Sequence, residues 1–246
     1  AIDSLRRGLG DLEERTRIEA WQVGVQRWIT AGVEPSRKLR VWLQLVDRRG
    51  MVSQQDIAAF QAAVMRCASS AGGSATMPQA EPYLARAKVL DEFCAEVDVV
   101  VGINVRAPNG RGFIGTRVRG VLEASGFTAD EDRYGYRDVN GLTRFVVENQ
   151  DQTALTPEAL RAAGVSGLTL LFDVPRQSDG VACFNQMVTV GRQLAQTLGG
   201  TLVDDNGTPV TDAGLEQIRA QLRAIYGNME ARGMPPGSTL ARRLFG

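Results

Sequence analysis

Few residues in this chain have the types and spacing that chemistry needs. Gly110-Arg111-Gly112-Phe113-Ile114-Gly115 fits G-x-G-x-x-G between a strand-like and a helix-like stretch, and Asp130-Glu131-Asp132 follows about 20 residues on. That is the pattern of a dinucleotide site, in which glycines let a pyrophosphate approach a helix N-terminus. The surroundings argue against it. Arg106–Asn109 separates the glycines from the strand, Pro108 makes its own turn, and a hairpin follows instead of a second parallel crossover. Asp130-Glu131-Asp132 has the composition of an acid–base pair but also of a solvated loop. Asp204-Asp205-Asn206-Gly207 lacks the alternating ligands and distal Glu of a calcium loop, and reads as a type I′ turn. Ser166 and Ser178 have no base in any recognisable motif.

Histidine is absent, which excludes Ser-His-Asp and Cys-His catalysis and any His-containing metal site within the chain. The cysteines, Cys67, Cys94 and Cys183, are odd in number and lack C-x-x-C spacing. Cys67 and Cys183 sit among apolar helical neighbours and read as buried thiols of a reducing compartment. Neither a cofactor nor a metal is expected. The 28 basic and 28 acidic side chains of the 246 residues cancel, so no overall electrostatic case for nucleic acid exists. No apolar run approaches the ~20 residues of a membrane-spanning helix.

The stretch Leu168–Asp205 organises what remains. An apolar run to Val174, stopped by Pro175, reads as a buried strand. Phe184, Met187, Val188, Gly191, Leu194, Ala195 and Leu198 then form one face of a helix, ended by Gly199-Gly200. Thr201-Leu202-Val203 returns as a strand. Upstream, residues 1–16 read as a short amphipathic helix, Arg17–Trp28 as an alternating strand, Val33–Ser36 as a loop, and Leu39–Asp47 as a strand. Ser53 caps a helix ending at Gly72-Gly73, a short strand is expected around Ala75–Met77, and Pro82–Ala95 is helical. Downstream come strands over Val97–Val105, Phe127–Arg137 and Leu142–Asn149, helices after Gly112 and after Thr211, and a tail from Gly233. Leu43 to Gly72 and Leu170 to Gly199 each span 29 positions with mostly matching apolar sites, the pattern an internal duplication would leave.

From Val97 onward the order of elements, with Val99–Val105, Ala124-Ser125-Gly126-Phe127, Tyr136-Arg137, Phe145–Asn149, Leu168–Pro175 and above all Leu198–Thr211, resembles the C-terminal domain of the ZipA cell-division proteins. The resemblance covers about residues 96–230. It implies an α+β fold, a split β-α-β sandwich with one antiparallel sheet and helices on one face, and a non-enzymatic adaptor that binds the C-terminal tail of FtsZ on the open sheet face. The expected organisation is a lead-in helix (1–16), an N-terminal half that reads as a partial second copy (17–95), the ZipA-like domain (96–232) and a tail (233–246).

Carried over residue by residue, the groove comprises Val100 and Gly102, Asp132 and Tyr134, Glu148 and Gln150, and Leu171. It departs from the family's aliphatic pattern at Gly102, Asp132, Glu148 and Gln150. The resemblance further implies a role in septum formation at the cytoplasmic face of the inner membrane, through an anchor absent from this chain. The FtsZ tail and other divisome proteins are the implied partners, and nucleic acid is not. Two other readings stay open: a module of the same fold for a different divisome partner, which the polar groove positions motivate, and a nucleotide-dependent enzyme resting on Gly110–Gly115 alone.

Overall fold

A computed structural model describes residues 2–32 and 36–246; most of the expected loop at Val33–Ser36 lies outside the described residues. The chain forms two compact units, one reaching Glu96 and the other starting at Val97.

In the first unit, helix α1 (Ile2–Leu9) precedes strands β1 (Thr16–Gln22), β2 (Arg27–Thr30) and β3 (Leu39–Leu43), which pair antiparallel in the order β2-β1-β3. The expected single strand over Arg17–Trp28 is therefore a hairpin. Val23–Gln26 form its turn; the positive φ, +50°, falls on Gln26 and not on Gly24, and Gly24 was the only compositional sign of the turn. A two-residue pair, β4 (Val46–Asp47) with β5 (Gly50–Met51), leads into α2 (Gln54–Ser70). Ser53 starts α2 with a reciprocal cap: its hydroxyl accepts from Asp56 N at 3.1 Å, and Asp56 accepts from Ser53 N at 2.8 Å. Those bonds from Ser53 hold the Asp56 carboxyl below its usual range. Leu5 and Leu9 of α1, Ile18 and Ala20 of β1, and Ala63 and Cys67 of α2 make the core. Helix α3 (Glu81–Val97) closes the unit. Residues 73–79 form no strand, so the element order that suggested a second copy is not reproduced there.

The second unit is one six-stranded sheet. Its strands are β6 (Val100–Arg106), β7 (Phe127–Asp130), β8 (Arg133–Arg137), β9 (Thr143–Asn149), β10 (Gly167–Asp173) and β11 (Thr201–Val203), ordered β11-β6-β10-β9-β8-β7, with every neighbouring pair antiparallel. Because β10 and β11 both oppose β6, they run parallel with β6 between them: a split β-α-β unit, as the resemblance implies. Helices α4 (Gly115–Ala124), α5 (Ala159–Ala162), α6 (Gly180–Leu198), α7 (Asp212–Ala231) and α8 (Thr239–Leu244) complete the unit. The expected tail thus contains a helix, and Gly237 N–H donates to Pro175 O at 3.0 Å.

Helix α6 lies on the sheet with its whole apolar stripe buried, from Cys183 and Phe184 to Leu198. A side chain at Gly191 would press on Leu202 Cδ1 at 3.0 Å and Ile103 Cδ1 at 3.2 Å, so glycine lets helix and sheet approach closely. Ile103, Val105, Leu168, Leu170, Phe172, Tyr134, Phe145 and Val147 join that stripe in one core from the strands. The Tyr136 and Phe145 rings stack at 4.7 Å, and Phe127 meets both edge-on.

Two turns share one sequence logic. In Asp138-Val139-Asn140-Gly141 and in Asp204-Asp205-Asn206-Gly207 the Asp carboxylate accepts backbone N–H bonds from residues two and four ahead, at 2.8–3.0 Å. The closing Gly has φ near +79° in both, and no other residue of either turn has positive φ. Each is therefore a type I turn followed by a left-handed glycine, not the type I′ turn expected at Asp204.

Candidate binding face

Strand parity divides the sheet of the second unit. Odd positions of β6 and even positions of β10 face the helices; their neighbours face away. The cross-strand register sets Gly102, Leu171, Val146, Gly135 and Thr128 in one continuous row over five strands. Leu171 and Val146 form a half-buried apolar pair at its centre, with a glycine on either side. The Leu171 side chain leans over Gly102, where an added Cβ would find Leu171 Cδ2 at 3.2 Å and Asp205 Oδ1 at 3.8 Å. Val100, opposite Asp173, continues the apolar surface along β6 and is half exposed.

A polar row borders this trough. Asn104, Thr169 and Glu148 are in register. Asn104 donates to Asp205 Oδ1 at 3.0 Å and accepts from the Thr169 hydroxyl at 2.7 Å, which satisfies an amide only 5% exposed. Glu148 pairs with Arg133 at 2.6 Å, and Arg133 also holds Asp132 at 3.0 Å. Partial desolvation works against the Arg133 charge, but those carboxylates hold its pKa above the ordinary value. Arg137 pairs with Asp130 at 2.9 Å. The rim is thus fixed by its own ion pairs, and the row beside it is apolar at Leu171 and Val146.

Of the residues expected in a groove, Val100, Gly102, Glu148 and Leu171 share this face. Gln150 follows β9 on the same side, its N–H donating to Gly167 O at 3.0 Å. Two are placed differently. Tyr134 is fully buried against the helices, opposite Val147, and Asp132 lies in the turn between β7 and β8. The expected strand over Phe127–Arg137 is a hairpin bent at Glu131, whose φ of +54° is again that of a non-glycine residue. Taking 132 and 134 as outward positions errs by one residue, which reverses the face of every side chain. The outward residues there are Arg133 and Gly135, which sequence reasoning missed together with Val146. The signal was present in Tyr134-x-Tyr136 and Phe145-x-Val147, each an inward-facing alternation.

The Gly110–Gly115 motif also has a local explanation. Phe113 and Val165 exchange backbone bonds at 2.6 and 2.9 Å. A side chain at Gly112 would strike Val165 O at 2.7 Å, and one at Gly115 would strike the carbonyls of Leu160 and Ala163. The glycines admit the chain's own backbone to the start of α4, where a pyrophosphate would have to sit, and the strand that follows belongs to an antiparallel hairpin. The nucleotide reading ends there. The thiols of Cys67, Cys94 and Cys183 are all buried and form no disulfide. Burial pushes the Cys183 thiol up to about 12, far from a reactive thiolate. Among the described residues no cluster of Cys, Asp and Glu is placed to hold a metal ion.

The second unit thus has a sheet packed with helices on one side and an apolar row beside ion-paired polar residues on the other. Residues 99–221, half of the chain, match the family described as ZipA, C-terminal FtsZ-binding domain, and the chain belongs to that family. It is 25% identical over 133 residues to the cell division protein ZipA of Marinobacter nauticus, covering 52% of this chain and 39% of that protein. It is 26% identical over 132 residues to the cell division protein ZipA of Vibrio campbellii, covering 52% and 41%. The chain therefore spans about two-fifths of the length of these relatives.

Proposed function

We propose that the second unit is a divisome adaptor that takes the C-terminal tail of FtsZ along the Gly102–Leu171–Val146–Gly135 row. The observation that carries this is the register. It sets the Leu171 and Val146 side chains next to each other at the centre of the row, with Gly102 and Gly135 adding no side chain on either side of them. The reading extends to a role in holding FtsZ filaments near the cytoplasmic face of the inner membrane at the septum. Among the described residues no helix is long and apolar enough to cross a membrane. A second reading, the same face serving a different divisome peptide, is favoured by the polar rim of Asn104, Glu148 and Arg133. Titration of the chain with the FtsZ tail peptide and with FtsZ lacking its tail decides between them. Saturable binding of the first and none of the second supports the adaptor, and no binding of either sends the face to another partner.

A further inference from the structure

We propose that the β1–β2 hairpin of the first unit docks onto the surface of an anionic phospholipid bilayer, its tip entering the headgroup layer. The chain has three tryptophans, and all stand on the face of the three-stranded sheet turned away from α1 and α2. Trp21 and Trp28 are cross-strand partners, edge to face at 5.5 Å, and Trp42 is 52% exposed. Beyond them the turn carries Val23 and Val25, 77% and 58% exposed. Hairpin turns ordinarily use Asn, Asp and Gly, and valine is poorly suited to one. Two bare valines at a tip backed by tryptophans are what an interface between water and hydrocarbon selects, with aromatic rings at headgroup depth.

Charge complementarity names the lipid. Arg27, Arg37, Lys38 and Arg40 surround the hairpin, and Trp21 N–H donates to Lys38 O at 3.0 Å, which lays the second basic segment alongside it. Residues 20–32 and 36–41 contain no acidic side chain, in a chain whose net charge is zero; Glu34 lies outside the described residues. The nearest described carboxylate, Glu19, is engaged by Arg17 at 2.7 Å and by Trp42 Nε1 at 2.9 Å. Single-stranded nucleic acid would also find cations and aromatics here, but it needs open ring faces to stack on. Arg40 already lies 4.1 Å over the Trp28 ring, and Trp21 meets Trp28 edge-on. Nucleic acid also gives Val23 and Val25 no role.

Every tryptophan sits on this sheet, so tryptophan emission, excited selectively over the four tyrosines, reports on it alone. Phosphatidylcholine vesicles containing phosphatidylserine should shift the emission to the blue and co-sediment the protein, and pure phosphatidylcholine should do neither. Added salt should weaken binding. Arg37→Ala with Lys38→Ala should lower the affinity roughly 30-fold. Val23→Ser with Val25→Ser should abolish the blue shift while leaving the thermal melt unchanged. Should either double variant fail to fold, quenching of the unaltered chain by brominated lipid reads the same insertion. The proposal is overturned by equal binding to both kinds of vesicle, by absence of quenching, by a blue shift that survives the serine variant, or by an emission response to an oligonucleotide and not to vesicles.

Discussion

Leu170 and Leu171 are consecutive leucines on one strand, and the chain uses them for opposite purposes. Leu170 is fully buried between Ile103 and Val147 against α6, whereas Leu171, between Gly102 and Val146, is only partly buried. The same comparison holds for the two sides of the whole sheet. The helix side is packed with Phe172, Phe145, Tyr134 and the α6 stripe; the far side has glycines where it could have side chains. One side is built to leave no space and the other to keep some, so substitutions that look alike in sequence should separate cleanly in stability and binding.

The largest effect belongs to the buried side. Leu170→Ala should cost about 2–5 kcal/mol of unfolding free energy, since it removes contacts and leaves a cavity among rigid neighbours. Leu171→Ala should cost far less stability yet weaken the FtsZ tail at least tenfold, about 1.4 kcal/mol, if it is a buried anchor of the complex. Denaturation and titration of both variants form a double test. Equal loss of stability would mean that the two faces are not distinct, and unchanged tail affinity in Leu171→Ala would move the partner off this face.

The sealed side has an alkaline signature. Burial raises the folded pKa of Cys183 from 9.0 to about 12. A raised folded pKa means that the native state holds the proton more tightly, so this contribution is fully present below pH 9 and is lost as pH rises toward about 12. Unfolding free energy should fall across that window, and Cys183→Ala should flatten the fall. A slope that survives the substitution would assign it to other groups, Tyr134 and Tyr226 first, since burial raises both of their pKa values. For the same reason Cys183 should resist alkylation until the chain unfolds.

Tyr134 carries a smaller and opposite effect. Its hydroxyl is buried with no hydrogen-bond partner among the described residues. A buried polar group without a partner costs ~1–3 kcal/mol, so Tyr134→Phe should leave stability unchanged or raise it by about 1 kcal/mol. Tail affinity should not move, because the ring is buried on the helix side of the sheet and not in the trough. Weaker tail binding at unchanged stability would restore Tyr134 to the binding surface and contradict the observed parity.

Much of this was readable in advance, and the exceptions have a common physical form. The stripe from Phe184 to Leu198, its Gly199 terminus at φ +74°, and the alternation along β9 and β10 are long periodic signals, and each became the expected element. Both misjudged strands, Arg17–Trp28 and Phe127–Arg137, are hairpins whose turns place positive φ on Gln26 and Glu131. A turn announced by Asn-Gly is visible; one carried by Gln or Glu is not, and the alternation runs through it unbroken. In the candidate face that single omission misplaced two residues and hid two others, Arg133 and Gly135; Val146 belongs to β9, whose strand was read correctly. The close backbone approach behind Gly112 and Gly115 was invisible for another reason, since contact between residues about 50 apart leaves no local mark.

The smallest expected effect tests that correction directly. With Asp132 read as an outward strand position, replacing it and Gln150 by methionine would widen the apolar trough and strengthen tail binding. The structure separates the two sites. Asp132 sits in a turn, paired with the exposed Arg133 guanidinium, and a rim pair of that kind is worth roughly 0–1 kcal/mol. Asp132→Met should therefore leave tail affinity within about twofold, with a slight change in salt dependence. Gln150 lies on the open side near Gly167, beyond the polar row of Asn104, Thr169 and Glu148, so its methionine variant should improve binding only if the peptide runs across that row. Separate titrations of the two variants at low and high salt distinguish the cases. A gain confined to Gln150→Met extends the trough toward the end of β9. No change in either confines the tail to the glycine-flanked row, and a gain from Asp132→Met alone would mean that the β7–β8 turn, not the strands, carries the partner.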